Sequence, residues 1–153
     1  MQSIYTLFKF LHIIGAIVWI GGALSLAVVN TRASRAKDPS ALAALAQQSG
    51  FYGRALLGPA ALLTLIAGIV MVAVSGAGAP LWVVWGLVGV FASMALGGAL
   101  IGRTTGRLLD LAQAAGSGDE RVSGLRRRLA VLNVLNVLLL FSVVWAMVFK
   151  PTL

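Results

Sequence analysis

The sequence has few of the residues that build most catalytic and metal sites. It contains no cysteine, a single histidine and four acidic residues, and none of the acidic residues lies in its long apolar runs. The absence of cysteine excludes disulfides, iron–sulfur clusters and thiolate metal sites. The apolar runs also lack any carboxylate that would serve as a proton relay or as a ligand for a hard cation.

Charge is scarce as well, since 10% of the 153 residues are charged and 59% are hydrophobic. Soluble domains carry about 25% charged residues. A helix of about 20 apolar residues crosses the hydrocarbon core. Because lipid offers no hydrogen-bond partners, the backbone N–H and C=O groups must pair within the protein, as they do in a helix. We therefore predict one all-α domain over residues 1–153, an integral membrane four-helix bundle. The predicted spans are residues 4–30, 55–75, 81–102 and 129–149, with helical connections at about 38–54 and 103–128.

The basic residues predict the orientation of the bundle. Ten of the twelve lie in the first and third connections between spans, and the short second connection has none. By the positive-inside rule those two connections are cytoplasmic, so both termini face outward. Most aromatic residues fall at the opposite, outer ends of the spans. The first span lacks a basic leader and is too long for a signal peptide, so we expect it to be retained. The expected location is the inner (plasma) membrane, with several passes.

The net charge of +8 is explained by this topology. We interpret the run Arg126–Arg128 as a topological marker before the fourth span, with binding of a phosphorylated head group as the alternative. No aromatic residues are interleaved with it, as a nucleic-acid surface would require. The expected partner is therefore the lipid bilayer and not nucleic acid.

Small and amide residues predict helix contacts. Gly98, Gly102 and Gly106 recur at four-residue spacing, which lets a neighbouring backbone approach closely. That neighbour belongs either to the same bundle or to a second copy in a homodimer. Asn133 and Asn136 are expected to hydrogen-bond across the bundle, with Asn30 of the first span as a possible partner.

His12 lies inside the first span, where an ionisable side chain costs a few kcal/mol and marks a functional hypothesis. At about 100° per residue, Trp19 points in nearly the same direction, and Gly15 and Gly22 lie close to it. An imidazole, a large flat ring and two small residues form a surface suited to haem b, with a histidine nitrogen on the iron. Lys9 lies one turn away, near the outer interface.

Three interpretations of His12 stay open. In the first it is a haem ligand, and the second ligand comes from a methionine, a water or His12 of another protomer. The methionines considered are Met71, Met94 and Met147, and topology favours Met147. In the second, His12 and Met147 bind a cuprous ion, which prefers nitrogen and thioether ligands. In the third, His12 only holds helices together by a hydrogen bond.

The segment FKFLHIIGAIVWIGG, Phe8 to Gly22, resembles the first-helix signature of the CopD copper-resistance superfamily of four-helix membrane units. That superfamily includes HemJ-type protoporphyrinogen oxidases and an uncharacterised family of predicted integral membrane proteins. The ending MVFKP, Met147 to Pro151, is most similar to the uncharacterised family.

The resemblance implies different functions by branch. The HemJ branch implies that His12 binds haem. The later helices of HemJ-type proteins also carry a lysine or histidine, and spans two and three of this chain have neither. Protoporphyrinogen oxidation is therefore disfavoured. The CopD branch implies copper passage. We predict a haem-binding or redox-accessory bundle with no assigned catalytic residue; the alternatives are a copper-handling transporter module and a structural subunit without cofactor.

Overall fold

The computed structural model describes residues 2–35, 39–76, 78–115 and 120–151, and these residues contain helices and no strand. The helices are α1 (Gln2–Arg35), α2 (Pro39–Tyr52), α3 (Gly58–Ser75), α4 (Leu81–Met94), α5 (Gly102–Ala115) and α6 (Glu120–Phe149). Four stretches are long and apolar enough to cross a membrane: Gln2–Arg32, Gln47–Ser75, Leu81–Leu111 and Glu120–Phe149. The prediction of an all-α bundle with four membrane-spanning helices is confirmed.

Two wide π-helical turns join pairs of helices into continuous rods. Residues Gly53–Leu57 connect α2 to α3, and there the N–H of Gly58 donates to the carbonyl of Gly53. Pro59 follows, and because proline has no N–H and its ring crowds the preceding turn, the helix widens at this point. Residues Ala95–Ile101 connect α4 to α5 in the same way. The connections that the sequence predicts to be helical therefore hold α2 and α5, each continuous with a span.

The rods pack as two antiparallel pairs. α1 packs most extensively on α3, α4 packs on α6, and contacts between α1 and α6 join the pairs. We call one end of the bundle the tryptophan end: residues 2–9, 78–85 and 142–150, with Trp82, Trp85 and Trp145. The other is the arginine end, formed by α2, α5 and the start of α6. Its described arginines are Arg32, Arg54, Arg103, Arg107, Arg121, Arg126, Arg127 and Arg128.

The core is thin, and most large apolar side chains point away from it. One buried cluster lies at mid-height: Trp19, Ala23, Ala60, Ala61, Val90 and Leu140. A smaller one lies at the arginine end: Leu108, Val122 and Leu129. In contrast, Phe10, Ile17 and Phe91 are each at least 60% exposed. Lipid tails are as apolar as these side chains, so a membrane-spanning bundle leaves them outside the core.

The turn between α3 and α4 places the two pairs side by side at the tryptophan end. Gly76 and Gly78 have φ angles of 64° and 68°, in the left-handed region that glycine adopts without a steric penalty. Gly76 ends α3, and Pro80 precedes the first residue of α4.

Candidate functional site

His12 is held by a hydrogen bond to the backbone of the neighbouring helix. Its Nδ1 lies 2.8 Å from the carbonyl oxygen of Thr64 on α3. A carbonyl oxygen only accepts, so Nδ1 carries a proton, and in the neutral form of the ring Nε2 is the nitrogen that has the lone pair. This fixes the tautomer and the orientation of the ring.

Gly68 makes room for the imidazole on α3. A Cβ atom at this position would lie 3.2 Å from both Cε1 and Nδ1 of His12. Gly68 follows Thr64 by one helical turn, so the two residues together form a notch in α3 that receives the ring. Neither residue was predicted from the sequence. The available signal was a glycine inside a helix, where it costs about 1 kcal/mol relative to alanine and needs a reason.

A cavity of about 940 Å³ lies beside His12 and is lined by α1, α3, α4 and α6. It extends from the tryptophan end inward to Trp19, Val90 and Leu140 of the central cluster. Its lining is almost entirely apolar. Ligand pockets commonly measure about 300–1,000 Å³ and pair apolar walls with a few placed polar groups. The cavity fits that description.

The second ring nitrogen of His12 is available to a ligand. Among the described residues, Nε2 has no hydrogen-bond partner. Among the described residues, the only buried side-chain nitrogen or oxygen atoms without a hydrogen-bond partner belong to Arg126. Nε2 of His12 has no partner and is not one of these buried atoms, so part of its surface is accessible. His12 is one of the residues that line the cavity. Metal-ligating histidines usually donate their other N–H to a carbonyl or carboxylate, as His12 does here.

Two of the three candidate methionines line the same cavity as His12. Met147 of α6 lies over Gly86 of α4, where the absent side chain leaves space for its methyl group. Met71 of α3 is the second. Met94 does not line the cavity and is exposed on the outside of the bundle. His12 and Met147 thus line the same cavity, and their joint binding of a ligand stays a prediction.

Trp19 and Lys9 also border the cavity, at opposite heights. Trp19 is buried at its inner limit, where its ring packs in the central cluster. Lys9 is exposed near the tryptophan end. Across the bundle, the ammonium of Lys150 lies 5.4 Å from the ring centroid of Trp82, which also lines the cavity.

Gly15 and Gly22 were expected to border a ligand beside His12, but they face α3 and the turn before it. A Cβ at Gly15 would come within 2.6 Å of the Thr64 hydroxyl oxygen and 3.1 Å of the Ala60 carbonyl. A Cβ at Gly22 would meet the Leu57 side chain at 2.5 Å. Neither glycine lines the cavity, because α3 and the turn before it occupy the space beside them. They let α1 and α3 approach closely and do not open space for a flat ligand.

Buried polar groups lie between the cavity and the arginine end. The hydroxyl of Ser93 donates to Oδ1 of Asn136 at 2.6 Å, which links α4 to α6 as expected for that asparagine. Asn133 instead donates to the carbonyl of Leu129 in its own helix, at 2.9 Å. Asn30 accepts a hydrogen bond from Ser49 of α2 at 2.9 Å. The expected pairing of Asn30 with the asparagines of α6 is therefore wrong, since α2 supplies its partner.

The described residues contain no group of three or more histidine, cysteine, aspartate or glutamate side chains that would hold a metal ion. Any ligand at His12 must therefore be held largely by one nitrogen, a thioether and apolar contacts.

Four apolar helices around this cavity define a polytopic integral membrane protein. The chain belongs to the DUF2269 family, described as predicted integral membrane proteins, whose model matches residues 6–151. The expected membership in a family of predicted integral membrane proteins is thereby confirmed. The match makes no link to CopD or HemJ proteins, so that relation stays a prediction. No curated protein and no solved structure matches the chain.

Proposed function

We propose that this protein binds haem b in its apolar cavity, with Nε2 of His12 as an axial ligand to the iron. The observation that carries the proposal is the hydrogen bond from Nδ1 to the Thr64 carbonyl, which leaves Nε2 free beside the cavity. A histidine that only joins two helices needs the hydrogen bond from Nδ1 but does not need an unpaired Nε2 beside a cavity. Bound haem would give the protein a redox-active centre, and the role is haem binding or redox support with no assigned catalytic residue.

Other side chains of the cavity fit the same group. Met147 offers a thioether from the opposite helix pair, a recognised second ligand to histidine-bound haem iron. Lys9 borders the cavity three residues before His12 and supplies a positive charge for the propionate carboxylates. The apolar walls cover the macrocycle and exclude water.

The test is expression under haem-replete conditions, followed by absorption spectroscopy of the purified protein. We expect a Soret band in the wild type and none in His12→Gln. Glutamine offers an amide N–H for the Thr64 carbonyl but no ring nitrogen, so this variant separates a ligand from a clasp. Met147→Leu should keep the band with a shifted maximum. A colourless wild type, or a Soret band retained in His12→Gln, would overturn the proposal.

A cuprous ion is the second candidate, and the observation in its favour is that Met71 and Met147 line the same cavity as His12. Thioether and imidazole ligands suit the cuprous ion. Measured binding of cuprous ion should fall at least tenfold in a His12→Ala, Met147→Leu double variant. Equal binding by that variant and the wild type rejects a copper site here.

We also propose that Gly98, Gly102 and Gly106 form a homodimer surface. Of the two alternatives for this stripe, contact with a second copy is supported by the open space beside it, because a Cβ at Gly98 or Gly106 would meet nothing within 4 Å. At Gly102 the nearest atom is the Gly97 carbonyl of the same rod, at 3.7 Å. Exposed small residues at this spacing let two membrane helices pack closely. Gly102→Leu should abolish dimers in crosslinking and Gly124→Leu should not; equal dimer yields would contradict the surface.

A further inference from the structure

The cavity beside His12 lies between the two helix pairs, and the contacts that join the pairs are unequal. Of the four pairs of neighbouring spans, α3 and α4 contact each other least, whereas α1 and α6 contact each other more extensively. Both α3 and α4 line the cavity. The side between these two helices is therefore the least closely packed part of the cavity wall.

One side chain from each of these helices borders the cavity and is also exposed. Ile69 of α3 and Leu87 of α4 both line the cavity, and Ile69 is 51% exposed. A side chain that borders a closed cavity stays mostly covered, so the wall between α3 and α4 is incomplete. Exposed side chains of α1 and α6 line the cavity as well, but the contacts between those two helices narrow that side.

The gap between α3 and α4 lies at the depth of the membrane hydrocarbon. Ile69 precedes the last residue of α3 by six residues, and Leu87 follows the first residue of α4 by six. At 1.5 Å per residue, both lie about 9 Å inward from the turn at the tryptophan end, whose aromatic residues mark the membrane interface. Gly68, the neighbour of Ile69, borders the imidazole of His12, so the gap leads directly to that side chain.

We propose that this gap is a lateral opening through which the ligand of the cavity enters from the hydrocarbon of the membrane. The cavity lining is almost entirely apolar, as lipid tails are, so a molecule dissolved in lipid passes between two similar environments. The ligand class is therefore a membrane-dissolved molecule with a large apolar surface, and not a water-soluble solute. The identity of the ligand as haem rests on the proposed function, whereas the opening itself does not.

The first test is quenching of the fluorescence of Trp19, which lines the inner part of the cavity and is only 7% exposed. Replacing Trp82, Trp85 and Trp145 by phenylalanine leaves Trp19 as the single tryptophan. The variant is reconstituted in phosphatidylcholine with brominated acyl chains, or in ordinary phosphatidylcholine with iodide in the water. An acyl chain enters the lateral opening while no ligand is bound. We therefore expect quenching by the brominated chains and none by iodide.

Two substitutions on α3 separate the opening from general exposure to lipid. Ile69→Phe places a larger side chain in the gap. Ile66→Phe is the matched control, because Ile66 is 49% exposed but does not line the cavity. Ile69→Phe should lose at least half of the quenching by brominated chains, and Ile66→Phe should lose none. Equal quenching in the two variants, or quenching by iodide and not by brominated chains, would overturn the proposal.

The second measurement is haem exchange between liposomes and the protein with all four tryptophans. A narrower opening slows entry and exit alike, so Ile69→Phe should lower both rates at least threefold relative to Ile66→Phe and leave the affinity unchanged. If the wild type binds no haem but quenching still depends on Ile69, the proposed function fails and the opening stands. If haem binds through His12 with equal rates in both variants, the opening fails and the haem site stands.

Discussion

Nδ1 of His12 and the carbonyl oxygen of Thr64 lie 2.8 Å apart and tie α1 to α3 across the bundle. The bond uses one nitrogen of the ring and leaves the other beside a cavity of about 940 Å³. The side chain of His12, which is costly to place inside a membrane, is thereby oriented against the backbone of α3, and its second nitrogen has no partner among the described residues. The following predictions depend on that geometry and on the packing that supports it.

Gly68→Ala should disturb the imidazole. The new Cβ would lie 3.2 Å from two ring atoms, so the ring must move or the helices must separate. Gly124→Ala is the matched control, because its Cβ would meet nothing within 4 Å and alanine favours the helix by up to about 1 kcal/mol. We expect Gly68→Ala to be less stable than this control by about 1–3 kcal/mol in reversible unfolding. Equal stability of the two variants would show that the notch does not constrain His12.

Gly15→Ala should push α1 away from α3. Its Cβ would come within 2.6 Å of the Thr64 hydroxyl and 3.1 Å of the Ala60 carbonyl, and backbone atoms cannot yield as a flexible side chain does. Overpacking of this kind costs about 1–3 kcal/mol. The control is Gly21→Ala on the same helix, which faces open space. The thermal unfolding midpoint of Gly15→Ala should be well below that of Gly21→Ala. Equal midpoints would contradict the close approach of α1 to α3.

The Ser93–Asn136 hydrogen bond should couple α4 to α6. A double-mutant cycle with Ser93→Ala and Asn136→Leu isolates the pair, whose oxygens lie 2.6 Å apart. Hydrogen bonds between membrane helices measured in this way average about 0.6 kcal/mol, with a maximum of about 1.7. We expect a coupling energy in that range. A coupling of zero would mean that the two side chains do not interact in the bilayer.

The orientation can be tested directly because the chain has no cysteine of its own. We propose that the tryptophan end faces outward, since basic residues concentrate at the other end. Single cysteines at Ser3 and Ser123, both exposed, report on the two ends. A membrane-impermeant maleimide should label Ser3→Cys in spheroplasts and Ser123→Cys only after lysis. The reverse pattern would invert the topology.

The fold could be predicted from the sequence because its evidence is local. The length of an apolar run, the need to satisfy the backbone in lipid and the positions of charge are each visible without tertiary contacts. The placement of His12 and Met147 near the same end of the bundle could be predicted in the same way, and both line the cavity. The selection of Met147 over Met94 needed only the end of the helix on which each residue lies.

The side-chain contacts that could not be predicted from the sequence depend on which helices are neighbours. Gly15 and Gly22 share a face with His12, but one helix does not reveal that Thr64 and Leu57 fill the space beside them. The partner of Asn30 was missed because Ser49 lies on a helix outside the predicted spans.

The most direct test of the haem site is chemical rescue of His12→Gly in the purified protein. The missing side chain leaves a space beside the cavity that free imidazole fits. Titration of haem, followed at the Soret band, should show tight binding by the wild type, a loss of at least tenfold in affinity for the variant, and recovery when imidazole is added. If haem binds both proteins equally, or if imidazole restores nothing, then His12 is not the axial ligand and the central claim is wrong.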